Sequence, residues 1–265
     1  MATLSKRPIG IFDSGVGGLT VLKEVTKVLP REHVIYFGDT ARVPYGNKSR
    51  QSILRFSTEN ILFLLKKKVK LVVMACNTST SIALDYLKNT FSVPLVGVIE
   101  PAVERALSVS KQKRVGVIGT TSTVQSRVYE RSLVEKDAQA KVYSKACPLF
   151  VPFVEEGITS GPIVQKVIEM YLKDFKGTID TLILGCTHYP LLKKVITTYL
   201  RGVYLIDSAS EVALNTKALL KKYNLLNQET RVRKEFYVTD EPANFSKLAQ
   251  LFLGKPIKNP KVVNV

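Results

Sequence analysis

VVMACNTST at 72–80 and its counterpart LILGCTHYP at 182–190 decide the fold of this chain. In each, an apolar run that reads as a buried strand stops at a small residue, Ala75 or Gly185. A cysteine follows, then polar residues suited to capping a helix. Cys76 and Cys186 thus occupy equivalent places, 110 positions apart. Two further strand-like segments, PIGIFDSG at 8–15 and RVGVIGTT at 114–121, precede them at nearly the same offset, since Val115 lies 106 positions after Ile9. The chain reads as two copies of one unit, each carrying one thiol.

Outward from these segments, strand-like runs alternate with amphipathic helical stretches, the pattern of a mostly parallel sheet with helices on both faces. The expected class is α/β: two similar Rossmann-like parallel-sheet domains related by pseudo-two-fold duplication, with the active site in the cleft between them. Strands are expected near 8–12, 33–37, 70–75, 94–98, 114–118, 141–145, 181–185, 203–206 and 234–238. Pro30, which lacks a backbone donor, stops the first helix. The first copy ends near VPLVGVIEP at 93–101 and the second near LIDSAS at 205–210. The remaining tail adds a helix, the strand EFYVT and a helix around 243–252, and packs onto the first unit. The domains are then residues 1–98 with 210–265, and residues 99–209.

Composition narrows the function. A chain of 265 residues with 45% hydrophobic content can bury a large core. No apolar run approaches the ~20 residues that span a bilayer, and MATLSKRP leads straight into a strand without a secretory apolar region. A cytoplasmic location with no membrane partner is expected. Cys76, Cys147 and Cys186 are far apart in sequence, which suits reduced thiols rather than a disulfide framework or a metal cluster. The net charge of +17 is scattered over KKKVK at 66–70, KQKR at 111–114, LLKK at 191–194 and 219–222, and RVRK at 231–234. No nucleic-acid-binding signature accompanies it, so it reads as solvated surface without a nucleic-acid partner. Its by-product is a positive field that draws in anionic substrates.

Open α/β sheets bind ligands beyond the carboxyl ends of their strands, where this chain concentrates its polar clusters. They are Asp13 and Ser14; Asp39 with Pro44, Tyr45 and Gly46; Cys76, Asn77 and Thr78; Thr120, Thr121 and Thr123; and Cys186, Thr187 and His188. A thiol at a helix start has its pKa lowered by unpaired amides and the dipole end, which makes it a usable base. Two equivalent thiols from two halves suit a reaction symmetric about one carbon, and racemisation is such a reaction. Asp13 and His188 would tune Cys76 and Cys186. Ser14, Asn77, Thr78 and Thr187 would hold carboxylates without adding acidic charge. Cys147 in KACPLF reads as a small buried hydrophobe and His33 as structural, while Glu155 and Glu156 read on sequence alone as surface carboxylates.

Two other chemistries compete. GVGGLT at 15–20, with Asp39 some twenty residues on, mimics a dinucleotide fingerprint, but Thr20 stands at the third glycine and Asp13 puts a carboxylate where a pyrophosphate would lie. A disulfide oxidoreductase would need Cys76 and Cys186 to bond, whereas opposed bases must leave room for a carbon between them.

FDSGVGG at 12–18, GDTARVPYG at 38–46, ACNTS at 75–79, VIGT at 117–120, CPLFVPFVEEG at 147–157 and GCTHYPLL at 185–192 together resemble the glutamate racemases, in order from about residue 8 to 210. The resemblance implies a cofactor-independent isomerase that converts L-glutamate to D-glutamate for the bacterial cell wall, usually as a homodimer; with no convincing cofactor fingerprint and two self-sufficient bases, no metal is expected either. It implies Cys76 and Cys186 as the two bases, assisted by Asp13, Glu155 and His188. Substrate binding would fall to Asp13, Ser14, Tyr45, Gly46, Asn77, Thr78, Thr120, Thr123, Thr187 and His188. His188 after the second Cys-Thr favours glutamate over the aspartate racemases, which typically carry Glu there. The short lead before the first strand implies that the activator-binding N-terminal extension of some members is missing. Which of Glu155 and Glu156 faces inward stays open.

Overall fold

Aliphatic runs free of charge, bounded by glycine or polar residues, form strands buried on both faces. The computed structural model describes residues 4–265. Its strands are β1 Ile9–Asp13, β2 Val34–Gly38, β3 Leu71–Met74, β4 Leu95–Gly97, β5 Arg114–Gly119, β6 Lys141–Ala146, β7 Thr181–Gly185, β8 Tyr204–Asp207, β9 Lys234–Val238 and β10 Lys261–Val262. The helices between and after them are α1 Leu19–Val28, α2 Arg50–Lys66, α3 Asn77–Thr90, α4 Ile99–Val109, α5 Thr121–Gln125 and α6 Val128–Lys136. They continue with α7 Phe150–Glu155, α8 Pro162–Leu172, α9 Lys193–Tyr199, α10 Ser208–Lys222 and α11 Pro242–Leu253. The nine expected strands all form within a residue or two of their sequence boundaries; β10, only two residues long, was not foreseen.

The strands make two sheets, one of six in the order β10-β9-β2-β1-β3-β4 and one of four in the order β6-β5-β7-β8. Every pairing is parallel. The orders β2-β1-β3-β4 and β6-β5-β7-β8 are the same path run twice, which is the duplication read from the two thiol segments. The tail strand β9 adds to β2, so the last part of the chain extends the first sheet. β1 and β7 are buried along their whole length, as continuous apolar strands of a doubly covered parallel sheet must be.

Register places the site. Asp13 pairs with Gly38, and Phe12 with Met74, so the loops after β1, β2 and β3 open side by side. In the second sheet Gly119 pairs with both Ala146 and Gly185, which aligns Thr120, Cys147 and Cys186 in the same way. A single hydrophobic core runs through both units, from Ile9 and Ile11 to Val115, Ile183 and Val212.

The opposite, amino-terminal end of the first sheet is tied by a buried ion pair. Lys70 Nζ, just before β3, lies 2.5 Å from Glu32 Oε2 and donates to the carbonyls of Ser5 and Leu225 at 2.6 and 2.8 Å. Glu32 also accepts from the Asn227 amide at 2.8 Å. This cluster fastens the return from α10 to the strands it must rejoin. Removing one partner of a buried pair strands the other charge in a poorly solvated place. Lys70→Met is therefore expected to lower unfolding stability by about 3–5 kcal/mol in urea titrations; a loss below about 1 kcal/mol would contradict this role.

Candidate active site

The two sheets meet with their carboxyl ends turned toward a common cleft, and hydrogen bonds between the units close its floor and walls. Thr20 Oγ1 donates to the Thr187 carbonyl at 3.0 Å, Tyr129 OH to Asn77 Oδ1 at 2.6 Å, and Ser122 Oγ to the Gly46 carbonyl at 2.7 Å. Thr78 Oγ1 shares a hydrogen bond with Thr120 Oγ1 at 2.9 Å and another with Thr123 Oγ1 at 3.2 Å. Glycine permits this approach where a methyl group would not fit. A Cβ on Gly46 would stand 2.8 Å from Thr120 Cβ, and one on Gly17 would stand 2.4 Å from Thr187 Oγ1 and from His188 Cε1. Of the GVGGLT glycines, Gly17 serves contact between the units, while Gly15 and Gly18 are crowded by Val43, Asp13 and Tyr36 of their own unit, so packing explains the likeness to a phosphate-binding loop.

The cleft is lined by Ser14, Tyr45, Gly46, Cys76, Asn77 and Thr78 from the first unit, and by Thr120, Glu155, Cys186, Thr187 and His188 from the second. Gly15, Val43, Pro44, Val151 and Pro152 complete the wall. Both thiols are free and 6% exposed. Of the residues in the strand-end clusters picked out from sequence, Asp13, Asp39, Thr121 and Thr123 do not line the cleft. Asp13 is fully buried beneath it, and Thr123 forms a second layer behind Thr78 and Thr120.

The two thiols have different surroundings. Cys76 is the N-cap of α3, and its Sγ accepts from the Ser79 amide at 3.4 Å, the helix-start geometry expected from the sequence. Its pKa nevertheless moves opposite to expectation: burial, reinforced by the nearby Asp13 carboxylate, pushes it up to about 11 against the weaker pull of the Ser79 amide. Cys186 lacks a regular helix behind it, because a 3-10 turn at Tyr189–Leu192 intervenes before α9. Its Sγ instead lies 3.8 Å from His188 Nδ1, and His188 Nε2 lies 2.9 Å from Glu155 Oε1. Burial works against an imidazolium there, but the bonds to Cys186 and Glu155 and their charges outweigh it and raise the histidine to about 10. Glu156, at the C-cap of α7, is exposed, so Glu155 is the carboxylate that faces the site.

Asp13 is raised chiefly by burial, opposed by His188 and by the amides of Gly15, Gly18 and Ser14. Its Oδ2 accepts from the Gly15 amide at 3.1 Å, while Oδ1 is buried without a hydrogen-bond partner. Asn77 likewise keeps its Nδ2 unpartnered, since Tyr129 holds only the oxygen. A buried amide donor lining a cleft is a ready seat for a ligand oxygen.

A family model described as Asp/Glu/Hydantoin racemase matches residues 10–215. The chain belongs to that family. It is an amino-acid racemase. The glutamate racemase of Aquifex aeolicus (strain VF5) is 52% identical over 256 residues, with 97% of each chain covered. The crystal structure of glutamate racemase from Francisella tularensis in complex with D-glutamate aligns over 98% of each chain at 40% identity, with a TM-score of 0.92. RacE1 from Bacillus anthracis aligns over 98% of each chain at 38% identity and a TM-score of 0.95.

Within this racemase, sequence reasoning missed the network behind Tyr45. The Tyr45 hydroxyl donates to Asp39 and accepts from Asn60 Nδ2 at 3.2 Å, while Arg42 Nε bonds Asp39 at 2.7 Å. Asp39 was legible as a strand-end carboxylate, but nothing in sequence linked it to Asn60. It missed Phe252 as well, whose ring stands perpendicular to His188 with centroids 5.4 Å apart.

The raised pKa of Cys76 gives a direct expectation. Alkylation of Cys76 by a small reagent, mapped by peptide mass spectrometry, should accelerate about tenfold per pH unit from pH 7 to 10, because reaction follows the thiolate fraction. A rate that levels off near pH 8.5, as for an ordinary thiol, would contradict it. Among the described residues no helix is long and apolar enough to cross a membrane.

Proposed function

We propose that the protein interconverts L- and D-glutamate without a cofactor or metal, by proton transfer between Cys76 and Cys186 across the substrate α-carbon. One observation carries this reading: the thiols follow strands of different sheets, Cys76 after β3 and Cys186 after β7, and line one cleft. We take the two domains to be residues 1–98 with 210–265, and residues 99–209. The sulfur of Cys186 takes the α-proton of L-glutamate, and the electron pair left on carbon takes a proton from Cys76 on the other face. Burial and Asp13 hold Cys76 as a thiol near neutral pH, which suits a proton donor in this direction. His188, bridged between Cys186 and Glu155, supplies positive charge beside the base. In the reverse direction the thiols exchange roles.

The substrate carboxylates are anions in a largely buried place and need donors more than countercharges. The Asn77 amide, the hydroxyls of Ser14, Thr78, Thr120 and Thr187, and the backbone around Tyr45 and Gly46 provide them, with Thr123 fixing Thr78 and Thr120. The family relationship favours a cytoplasmic enzyme, acting as a homodimer, that supplies D-glutamate for peptidoglycan.

Circular dichroism of L-glutamate incubated with the purified protein and no additive tests this reading. The signal should decay to zero. Cys76→Ala and Cys186→Ala should each slow racemisation in both directions by about a hundredfold to ten-thousandfold, the usual weight of a positioned acid or base. A Cys186→Ala variant near the wild-type rate, or activity that appears only with an added cofactor, would contradict it.

A further inference from the structure

His188 is held from four sides, and one of them belongs to a part of the chain with no place in the chemistry above. Nδ1 faces Cys186 and the Thr187 hydroxyl, at 3.8 and 3.4 Å, and Nε2 faces Glu155, all from the second unit. On another side the Gly17 backbone packs so close that a Cβ there would lie 2.5 Å from Nδ1. The remaining contact comes from α11 in the tail that extends the first sheet. Phe252, 2% exposed, sets its ring at 89° to the imidazole with centroids 5.4 Å apart. The same helix places Phe245 at 5.9 Å from the ring of Tyr36, whose hydroxyl donates to the Gly15 carbonyl at 2.7 Å. Tyr36 lies beside Asp13 and Cys76, so Phe245 backs the Cys76 side of the site, while Phe252 touches the imidazole on the Cys186 side.

We infer that Phe252 is a positioning residue for the Cys186 side of the site alone: it fixes the imidazole plane that joins Glu155 to Cys186. The inference rests on the two-thiol reading. The physical ground is that imidazole has one soft torsion that both its nitrogens share. Rotation about it would break the 2.9 Å bond to Glu155 and the 3.8 Å contact to Cys186 together. Gly17 blocks the ring on one side by contact, and a perpendicular aromatic pair blocks it on another at favourable energy. The tail helix thereby enters catalysis without touching substrate.

Such a one-sided role has a signature that general destabilisation lacks. The two enantiomers are equal in energy, so any variant must lower kcat/KM by the same factor in both directions. Impairing one base, however, makes its own proton transfer more rate-limiting. With α-deuterated substrates, the primary isotope effect should then rise in the direction where Cys186 removes the label. It should fall in the direction where Cys186 only delivers a proton.

The test is Phe252→Leu, which keeps apolar bulk and removes the ring, compared with wild type. Leu248→Ala, which weakens packing of the same helix, serves as control. For Phe252→Leu, kcat is expected to fall roughly three- to tenfold, the kinetic equivalent of one aromatic pair, with KM little changed and the two isotope effects moving apart. The control should leave both isotope effects at their wild-type values whatever its thermal midpoint. If Phe252→Leu does not fold, Phe252→Met is read in the same way. A folded variant whose isotope effects change equally in both directions, or not at all, overturns the inference. The two-thiol reading is judged separately, by racemisation in the cysteine variants.

Discussion

The site depends on one geometric constraint: two parallel sheets must meet carboxyl end to carboxyl end at close range. Each sheet alone ends in a row of ordinary polar loops. Brought together, with Thr78 bonded to Thr120, Asn77 to Tyr129, and Gly46 to Ser122, they enclose a cleft with one cysteine on each wall. The cost appears in the residues that make the contact possible. Gly17 and Gly46 have no room for a side chain, and Thr20 and Thr78 spend their hydroxyls on the opposite unit. Stability and activity therefore share residues at this seam.

Burial sets the electrostatics inside it. Asp13, Cys76 and His188 all lie out of water, and each is shifted from its ordinary ionisation, Asp13 and Cys76 upward mainly by loss of solvation, and His188 upward against its own burial by its bonds to Cys186 and Glu155. The asymmetry matters for chemistry that must run both ways. One thiol sits over a carboxylate and an α-helix start, the other beside an imidazole that a second carboxylate anchors. Duplication gave the two halves the same strand order but left their proton-handling groups different. Of the buried polar atoms without a hydrogen-bond partner, Asn77 Nδ2 belongs to a residue that lines the cleft, where a ligand oxygen would complete it.

Much of this was legible from residues because fully buried parallel strands announce themselves as unbroken aliphatic runs, and because a repeated strand-Cys-polar segment marks equivalent positions without any alignment. Local pattern could not give what depends on distant contacts. The helix-start argument foretold a lowered Cys76 pKa, and burial reversed it; burial depth is a property of the assembled fold. At Cys186 the expected helix start became a 3-10 turn containing Pro190, so His188 rather than a helix terminus is the neighbour of the sulfur. Glu155 and Glu156 are adjacent and chemically identical, and only the orientation of α7 separates them. GVGGLT has the glycines of a nucleotide loop, yet the middle one, Gly17, is required by His188 and Thr187, some 170 positions away. Phe252 and Asn60 contribute through contacts of the same long-range kind.

The central claim is that two different groups handle the proton on the two faces of the α-carbon. Racemisation of L-glutamate in deuterated water, stopped within the first turnovers and read by mass spectrometry of the separated enantiomers, tests it most directly. D-Glutamate should carry solvent deuterium at the α-carbon from the outset, while the remaining L-glutamate gains very little. D-Glutamate that retains the original proton at early times would mean that a single base removes and returns it, and would contradict the account.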